Sequence, residues 1–224
     1  MKFTGVNLLD ELKRDELGDL RDIFSERSWP AGAVIFDADE TDNLVFIIAE
    51  GRVRVYLAYE DKEFTLGILG PGDLYATHAG CYVQALDNAR LLAADVHAVK
   101  RCMTEVPAFT RTMVRVLGNI LQNTFSIIGG LAFKDIYDRL MDYILIQARD
   151  SGETVVEGED GELIVTLGLT VEQLAQLLGA TRQTVSTLLN DMVRAGLLEK
   201  RGRGRFCIPD LTALKRAAAG LPGA

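Results

Sequence analysis

A series of short strand-like runs, a long helix with an apolar repeat of threes and fours, and two short capped helices with a basic hairpin follow one another along 224 residues. Together they predict an α+β chain: an N-terminal β-roll (a double-stranded β-helix), a long central helix and a C-terminal winged helix-turn-helix. The length suits two domains, each large enough to bury its own core. The predicted divisions are 1–106, 107–132 and 133–224.

The β-roll rests on turn spacing. Between about Trp29 and Val99 lie five β-rich runs: Val34–Phe36, Leu44–Ile48, Arg52–Leu57, Phe64–Leu69 and Tyr82–Ala85. Gly32, Asp42-Asn43, Glu50-Gly51, Glu60-Asp61 and Gly70-Pro71-Gly72-Asp73 punctuate them at short intervals, as in an all-β roll or sandwich. The segment Asn7–Phe24 is predicted to be a short helix that caps the roll.

From about Pro107 the period changes to that of a helix. Val114, Leu117, Leu121, Thr124, Ile128 and Leu131 succeed one another in alternating steps of three and four, which is a coiled-coil seam. Phe109, Met113, Val116, Ile120 and Ile127 form a second stripe on the adjoining face. One wide stripe would suit a core-facing helix in a monomer. The sustained alternation predicts that one stripe packs on the roll while the other meets the same helix of a second copy. A new helix, capped by Asp135, is expected to run to about Asp150, and Ser151–Gly161 to form an exposed hairpin or loop.

The strongest local pattern is Thr170 to Asn190. Thr170 and Gln173 form a capping box, Gly179 can adopt the left-handed conformation that ends the first helix, Thr181 caps a second and Gly196 closes it. Ala175 is small where the helices cross, and Leu174, Leu178, Val185 and Leu188 supply a shared core, with Leu189 and Met192 also turned inward. Thr181, Arg182, Gln183, Ser186 and Thr187 then form the polar face at the start of the second helix. Such positions reach base edges in the major groove, Arg bidentate to guanine and Gln to adenine. The run Leu198–Ile208 follows as a two-stranded wing, with Arg201, Arg203 and Arg205 placed to lie along phosphates.

Charge supports this division. The whole chain carries −8, yet Val171–Arg216 has eight basic and four acidic residues, net +4, leaving −12 for the rest. A polyanion-binding module attached to something acidic fits that asymmetry. Cys81, Cys102 and Cys207 are widely spaced without a C-x-x-C, against a disulfide framework, a zinc site or a cysteine-held iron–sulfur cluster, and each is expected to be buried and inert. No apolar run suits a signal peptide, no stretch is expected to span a membrane, and a cytoplasmic protein is the default. A metal-dependent oxygenase on a β-roll would need two histidines and a carboxylate, and His78 and His97 lack suitable spacing. No enzyme is expected.

A β-roll, a long dimerisation helix and a winged helix-turn-helix resemble the CRP/FNR family of regulators over nearly the whole chain. Within it, Gly51–Leu57, Gly72–Tyr75, His78–Cys81, Val116–Gly118, Phe133–Asp135 and Thr181–Ser186 are similar to the haem-containing carbon monoxide sensors. Members that bind cyclic nucleotides carry a Glu and an Arg-Ser or Arg-Ala pair after the Gly-Asp corner. Here Gly72–Cys81 holds no arginine, against cyclic AMP.

The resemblance implies a cyclic-nucleotide-binding-like sensor domain holding haem b, one per subunit, with His78 as a protein ligand to iron. Imidazole ligates haem iron well. It also implies a second ligand from the amino terminus of the other subunit, for which the Met1 amine is the candidate because Lys2 hinders methionine removal. Ala76 departs from the pattern: it stands where the best-known member has a cysteine that ligates ferric iron, so that redox-linked switch should be missing or altered. His97 matches no ligand position and is expected to be structural. CO is then expected to displace the amino-terminal ligand and leave His78 in place; the vacated pocket is apolar, lined by Val114, Leu117, Gly118 and Leu121, where Gly118 leaves room for the haem and its ligand. The dimer helices then shift about a hinge at Phe133. The implied partners are palindromic double-stranded DNA with half-sites about one helical turn apart, a second copy of the chain, RNA polymerase for an activator, and CO, with no membrane. Sensing of redox state, nitric oxide or another small ligand is the alternative.

Overall fold

The computed structural model describes residues 4–38, 43–150 and 163–219, which form two compact units, 1–127 and 128–224. The expected loop Ser151–Gly161 lies outside the described residues, as does Met1.

The first unit begins with a one-turn helix α1 (Leu8–Glu11) and a 3₁₀ segment (Asp15–Ile23), followed by β1 (Ser25–Trp29), β2 (Val34–Phe36), β3 (Leu44–Glu50), β4 (Val53–Tyr59), β5 (Lys62–Leu69), β6 (Leu74–Ala76), β7 (Tyr82–Ala85) and β8 (Ala89–Asp95). Two helices follow, α2 (Val96–Glu105) and α3 (Pro107–Phe133). The strands make two antiparallel four-stranded sheets, β1-β8-β3-β6 and β2-β7-β4-β5. β3 is buried on both faces, so its apolar run is continuous rather than alternating. Phe46 and Ile48 point into the space between the sheets with Phe36, Val55, Val83 and Leu91. Val45 and Ile47 point the other way, into a second core closed by Leu8, Leu12, Phe109, Met113 and Val116.

Several expectations need correction. Asn7–Phe24 is not one helix: it breaks after α1, and its second half is 3₁₀. The strand region neither starts at Trp29 nor reaches Val99. Asp95 caps α2 by accepting a hydrogen bond from the His97 backbone N–H at 2.7 Å, which turns Val96–Val99 into helix. Three strands were not legible. β1 is polar and mostly exposed, β6 is only three residues long, and β8 is rich in alanine, with low intrinsic strand preference. Pairing with β3 makes β8 a strand all the same. α3 is, by length and composition, long and apolar enough to cross a membrane, because its two apolar stripes together cover much of its circumference. One stripe is committed to the second core, through Phe109, Met113 and Val116.

The second unit contains α4 (Ile136–Asp150), β9 (Leu163–Thr166), α5 (Val171–Leu178), α6 (Arg182–Arg194), β10 (Glu199–Lys200), β11 (Arg205–Ile208) and α7 (Leu211–Ala218). Its core joins Leu140, Met141 and Ile144 of α4 to Leu174, Leu178, Val185, Leu189, Met192 and Leu214. The expected two-stranded wing has a third strand: β11 pairs with β10 on one side and with β9 on the other. The break between α3 and α4 falls at Lys134-Asp135, and Asp135 caps α4 by accepting from the Asp138 N–H at 2.8 Å.

Candidate functional site

In the second unit the helix-turn-helix is built as its sequence dictates. The Thr170 hydroxyl accepts from the Gln173 N–H at 3.2 Å and the Gln173 side chain accepts from the Thr170 N–H at 2.9 Å, which closes the capping box. Gly179 ends α5 at φ 63°, where a β-carbon would be strained. Thr181 caps α6, accepting from the Thr184 N–H at 3.1 Å. Ala175, Leu174 and Val185 are fully buried at the crossing, Leu189 is buried, and Leu188 is half-buried.

With its apolar face so committed, α6 turns Arg182, Gln183, Thr187 and Asn190 outward, with Ser186 half-buried among them. Arg182, Ser186 and Asn190 share a cleft of about 810 Å3 with Lys200 and Arg203 of the wing and Thr170 at the start of α5. Among the described residues neither Arg182 nor Arg203 has an ion-pair partner, whereas Arg201 is paired with Glu199 at 3.1 Å. Arg205 is exposed on β11. Sequence reasoning missed Asn190 and Lys200. Asn190 could have been found by continuing the exposed face of α6 one turn beyond Ser186 and Thr187. The cleft therefore presents cations and hydrogen-bonding groups together on one concave face, the chemistry a phosphate backbone and base edges require.

In the first unit, the segment Gly72–Cys81 is held at several points. Asp73 is buried and its carboxylate closes the β5–β6 corner by accepting from the Gly70 N–H at 2.9 Å. The Thr77 hydroxyl accepts from the Leu44 N–H at 3.0 Å and so pins the segment to β3. Tyr75 and Cys81, three residues either side of His78, both pack with the core between the sheets. Burial first, and the neighbouring Cys81 sulfur second, push the Tyr75 hydroxyl far above the ordinary phenol range and keep it protonated. The backbone of His78 therefore lies in a single 3₁₀ turn, Thr77–Ala79, between anchored ends, and Gly80 leaves that turn in the left-handed conformation at φ 66°.

The inner face of β4 carries Val53, Val55 and Leu57; the first two are fully buried, and Leu57 is 45% exposed. β4 and β7 pair from Val53 opposite Ala85 to Tyr56 opposite Tyr82, so Leu57 is the first residue of β4 beyond that ladder. Leu57 faces the half-buried Phe64 across β5. The buried arginine of the roll, Arg54, sits on the opposite face of that sheet and is committed to Gln84 at 2.7 Å and Glu63 at 2.6 Å. It does not supply the cation that Gly72–Cys81 lacks.

The other predicted residues lie on α3. Val114, Leu117 and Leu121 are 63%, 62% and 53% exposed, Ile128 and Leu131 are also exposed, and the seam includes Phe125, 62% exposed, which the sequence pattern had not assigned. Thr124 is exposed with its hydroxyl bonded to the Ile120 carbonyl at 2.9 Å. A β-carbon added to Gly118 would meet open space. Phe133 is 89% exposed at the end of α3, and His97 is exposed at the start of α2. All three thiols are buried.

Known proteins share both halves of this arrangement. The sequence profile of the cyclic nucleotide-binding domain matches residues 26–105, and that of the Crp-like helix-turn-helix domain matches residues 138–217. The CRP-like cAMP-activated global transcriptional regulator of Mycobacterium tuberculosis is 28% identical, covering 85% of this chain and 86% of that protein. The global nitrogen regulator of a Nostoc species is 26% identical over 71% of this chain and 74% of its own length. Among solved structures, a double mutant of CooA from Carboxydothermus hydrogenoformans is 39% identical, covers 97% of this chain and 100% of that one, and superposes with a TM-score of 0.86. The reduced CO-sensing protein from R. rubrum is 29% identical over 95% of this chain and 98% of that one, with a TM-score of 0.53.

Proposed function

The chain belongs to the CRP/FNR family of transcription regulators, and on that premise we propose that it is a haem-dependent regulator whose DNA binding responds to carbon monoxide. The carrying observation is the anchored turn that bears His78 and leads into β7, the neighbour of β4, whose Leu57 is exposed opposite the half-buried Phe64. An uncovered apolar wall suits a macrocycle better than it suits a cyclic phosphate. The chemistry of the donors agrees. Asp73 and Thr77 are occupied by backbone groups and Tyr75 is held protonated, so they are poor candidates to ligate iron. Among the described residues no group of three or more His, Cys, Asp or Glu side chains could hold a metal ion by itself. A single imidazole holds iron when a porphyrin supplies the equatorial ligands.

In this reading His78 would be the permanent protein ligand, and the Met1 amine the exchangeable one, of one haem b per subunit. The haem iron supplies the site at which CO competes with that amine. The chain does the rest. Two copies pair through Val114, Leu117, Leu121, Thr124, Ile128 and Leu131, and the space at Gly118 would leave room for the haem next to the helix pair. Release of the amino terminus changes the contacts on α3, and Phe133 is the point about which the DNA-binding units turn. The free energy available for the change equals the difference in CO affinity between the two arrangements. Thr181, Arg182, Gln183, Ser186 and Thr187 read a palindromic operator, while Arg201, Arg203 and Arg205 position the wing. As an activator the dimer would then engage RNA polymerase in the cytoplasm.

The test is an absorption spectrum of the protein purified with haem supplied, reduced, and recorded before and after CO. A six-coordinate ferrous spectrum that converts to a CO adduct, and is lost in His78→Ala, is the expected result. Absence of stoichiometric haem would end this reading and leave a Crp-type DNA binder with another effector. Redox state and nitric oxide would then be tried first, since Gly72–Cys81 lacks the arginine that a cyclic phosphate requires.

A further inference from the structure

The N-terminal segment is stitched to two places at once. Thr4 is fully buried, and both its N–H and its hydroxyl donate to the same Asp73 carboxylate oxygen, at 2.9 Å and 2.7 Å. The Thr4 carbonyl in turn accepts from the Asn119 side-chain amide at 2.8 Å. Each contact has a neighbour that repeats its direction. The Leu8 N–H donates to the Gly72 carbonyl at 2.9 Å, and Arg115 reaches Glu11 at 3.3 Å. Between the stitches Gly5 adopts φ 66°, where a β-carbon would lie 2.4 Å from the Asn119 amide nitrogen. Residues Thr4–Leu8 are thus threaded between the Gly-Asp corner and α3, and a side chain at position 5 would displace the Asn119 amide.

The two ends of this connection matter for different reasons. Asp73 closes the corner from which the segment bearing His78 departs. Asn119 directly follows Gly118 and is half-buried, between Val116 and Ile120 on the packed stripe and Leu117 and Leu121 on the exposed one. Asp73 receives three hydrogen bonds, two of them from Thr4, so a displacement of the corner carries Thr4 with it. A displacement of Thr4 carries Asn119.

We propose that Thr4, Asp73 and Asn119 form a latch that couples the effector-bearing segment 72–81 to the exposed seam of α3. These three are positioning residues, and the idea takes from the function proposed above only the location of the effector segment. The latch holds the seam face of α3 in one orientation. A change in the 72–81 segment reaches that face through the arm, alongside the shared core in which Leu74 packs with Met113 and Val116.

Hydrogen–deuterium exchange on the full chain tests it, with Thr4→Val, Asn119→Ala and Asp73→Asn compared with wild type. Thr4→Val keeps the side-chain shape and guards against a misfolded Asp73 variant. The expected result is at least tenfold faster exchange in both 4–12 and 114–124 for every variant, with 163–208 unchanged. The effect of Asp73→Asn on α3 is decisive, since Asp73 bonds Thr4 rather than the helix. Faster exchange in 4–12 alone would overturn the latch and leave the arm as local packing; so would no change in either segment. In wild type loaded with haem and reduced, CO is expected to alter exchange in 114–124, and Thr4→Val to remove most of that response. A response of full size in Thr4→Val would also overturn the proposal. A chain that takes up no haem would defeat the function proposed above, while the effector-free exchange still decides the latch.

Discussion

Single residues do two kinds of work in this chain, and only one kind shows in the sequence. Thr170 caps α5 through a reciprocal pair of bonds with Gln173 whose spacing announces it. Thr170→Ala is expected to destabilise the second unit by about 1 kcal/mol, visible as a lower chemical-denaturation midpoint with unchanged slope. Thr4 does the other kind. A threonine near a chain terminus gives no local signal, yet its burial and its bonds to residues 69 and 115 positions away make it one of the most constrained polar groups described. Tyr75 and Cys81 are similar: their mutual approach depends on how β6 and β7 enter the roll, which residue spacing does not encode.

At the scale of elements, α3 separates its tasks by face. The stripe Phe109, Met113 and Val116 is buried in the first unit, while Val114, Leu117, Leu121, Phe125, Ile128 and Leu131 remain exposed. An apolar row of that length on one helix face is a characteristic of an association surface. Leu117→Glu is expected to shift the protein from dimer to monomer in sedimentation velocity, with the fold of each unit intact by circular dichroism. Retention of the dimer would move the association surface elsewhere. The wing shows an opposite case, in which tertiary structure adds to an element. β9 follows a segment with no clear pattern and becomes a strand because β11 offers it an edge.

On the scale of the whole molecule, charge sets the basic helix-turn-helix segment apart from the acidic remainder of the chain. The two clusters on the DNA side should be separable by experiment. Arg203→Ala is expected to weaken binding to all sequences alike and reduce the slope of log affinity against log salt by about 1. Arg182→Ala should cost about 1–3 kcal/mol at the preferred operator and relax discrimination at one base pair. Electrophoretic mobility titrations over a range of salt on matched and mismatched duplexes distinguish them. Equal effects of both substitutions on every duplex would place Arg182 on the phosphates.

The order of β-roll, long helix and helix-turn-helix follows from local chemistry in the sequence: period-two runs between turn residues, a three-and-four repeat, and capping residues at fixed spacing. So do the polar face of α6 and the two stripes of α3, because helical geometry fixes which residues share a face. Tertiary structure alone decided the rest. The alanine-rich β8 and the polar β1 are strands only because β3 and β8 offer them hydrogen-bonding partners, and α2 starts where Asp95 can cap it. The pinning of Thr77 to β3 and the Thr4–Asp73–Asn119 connection join residues far apart in the chain. Their physical basis is register and burial, which exist only once the sheets have paired and the helix has packed.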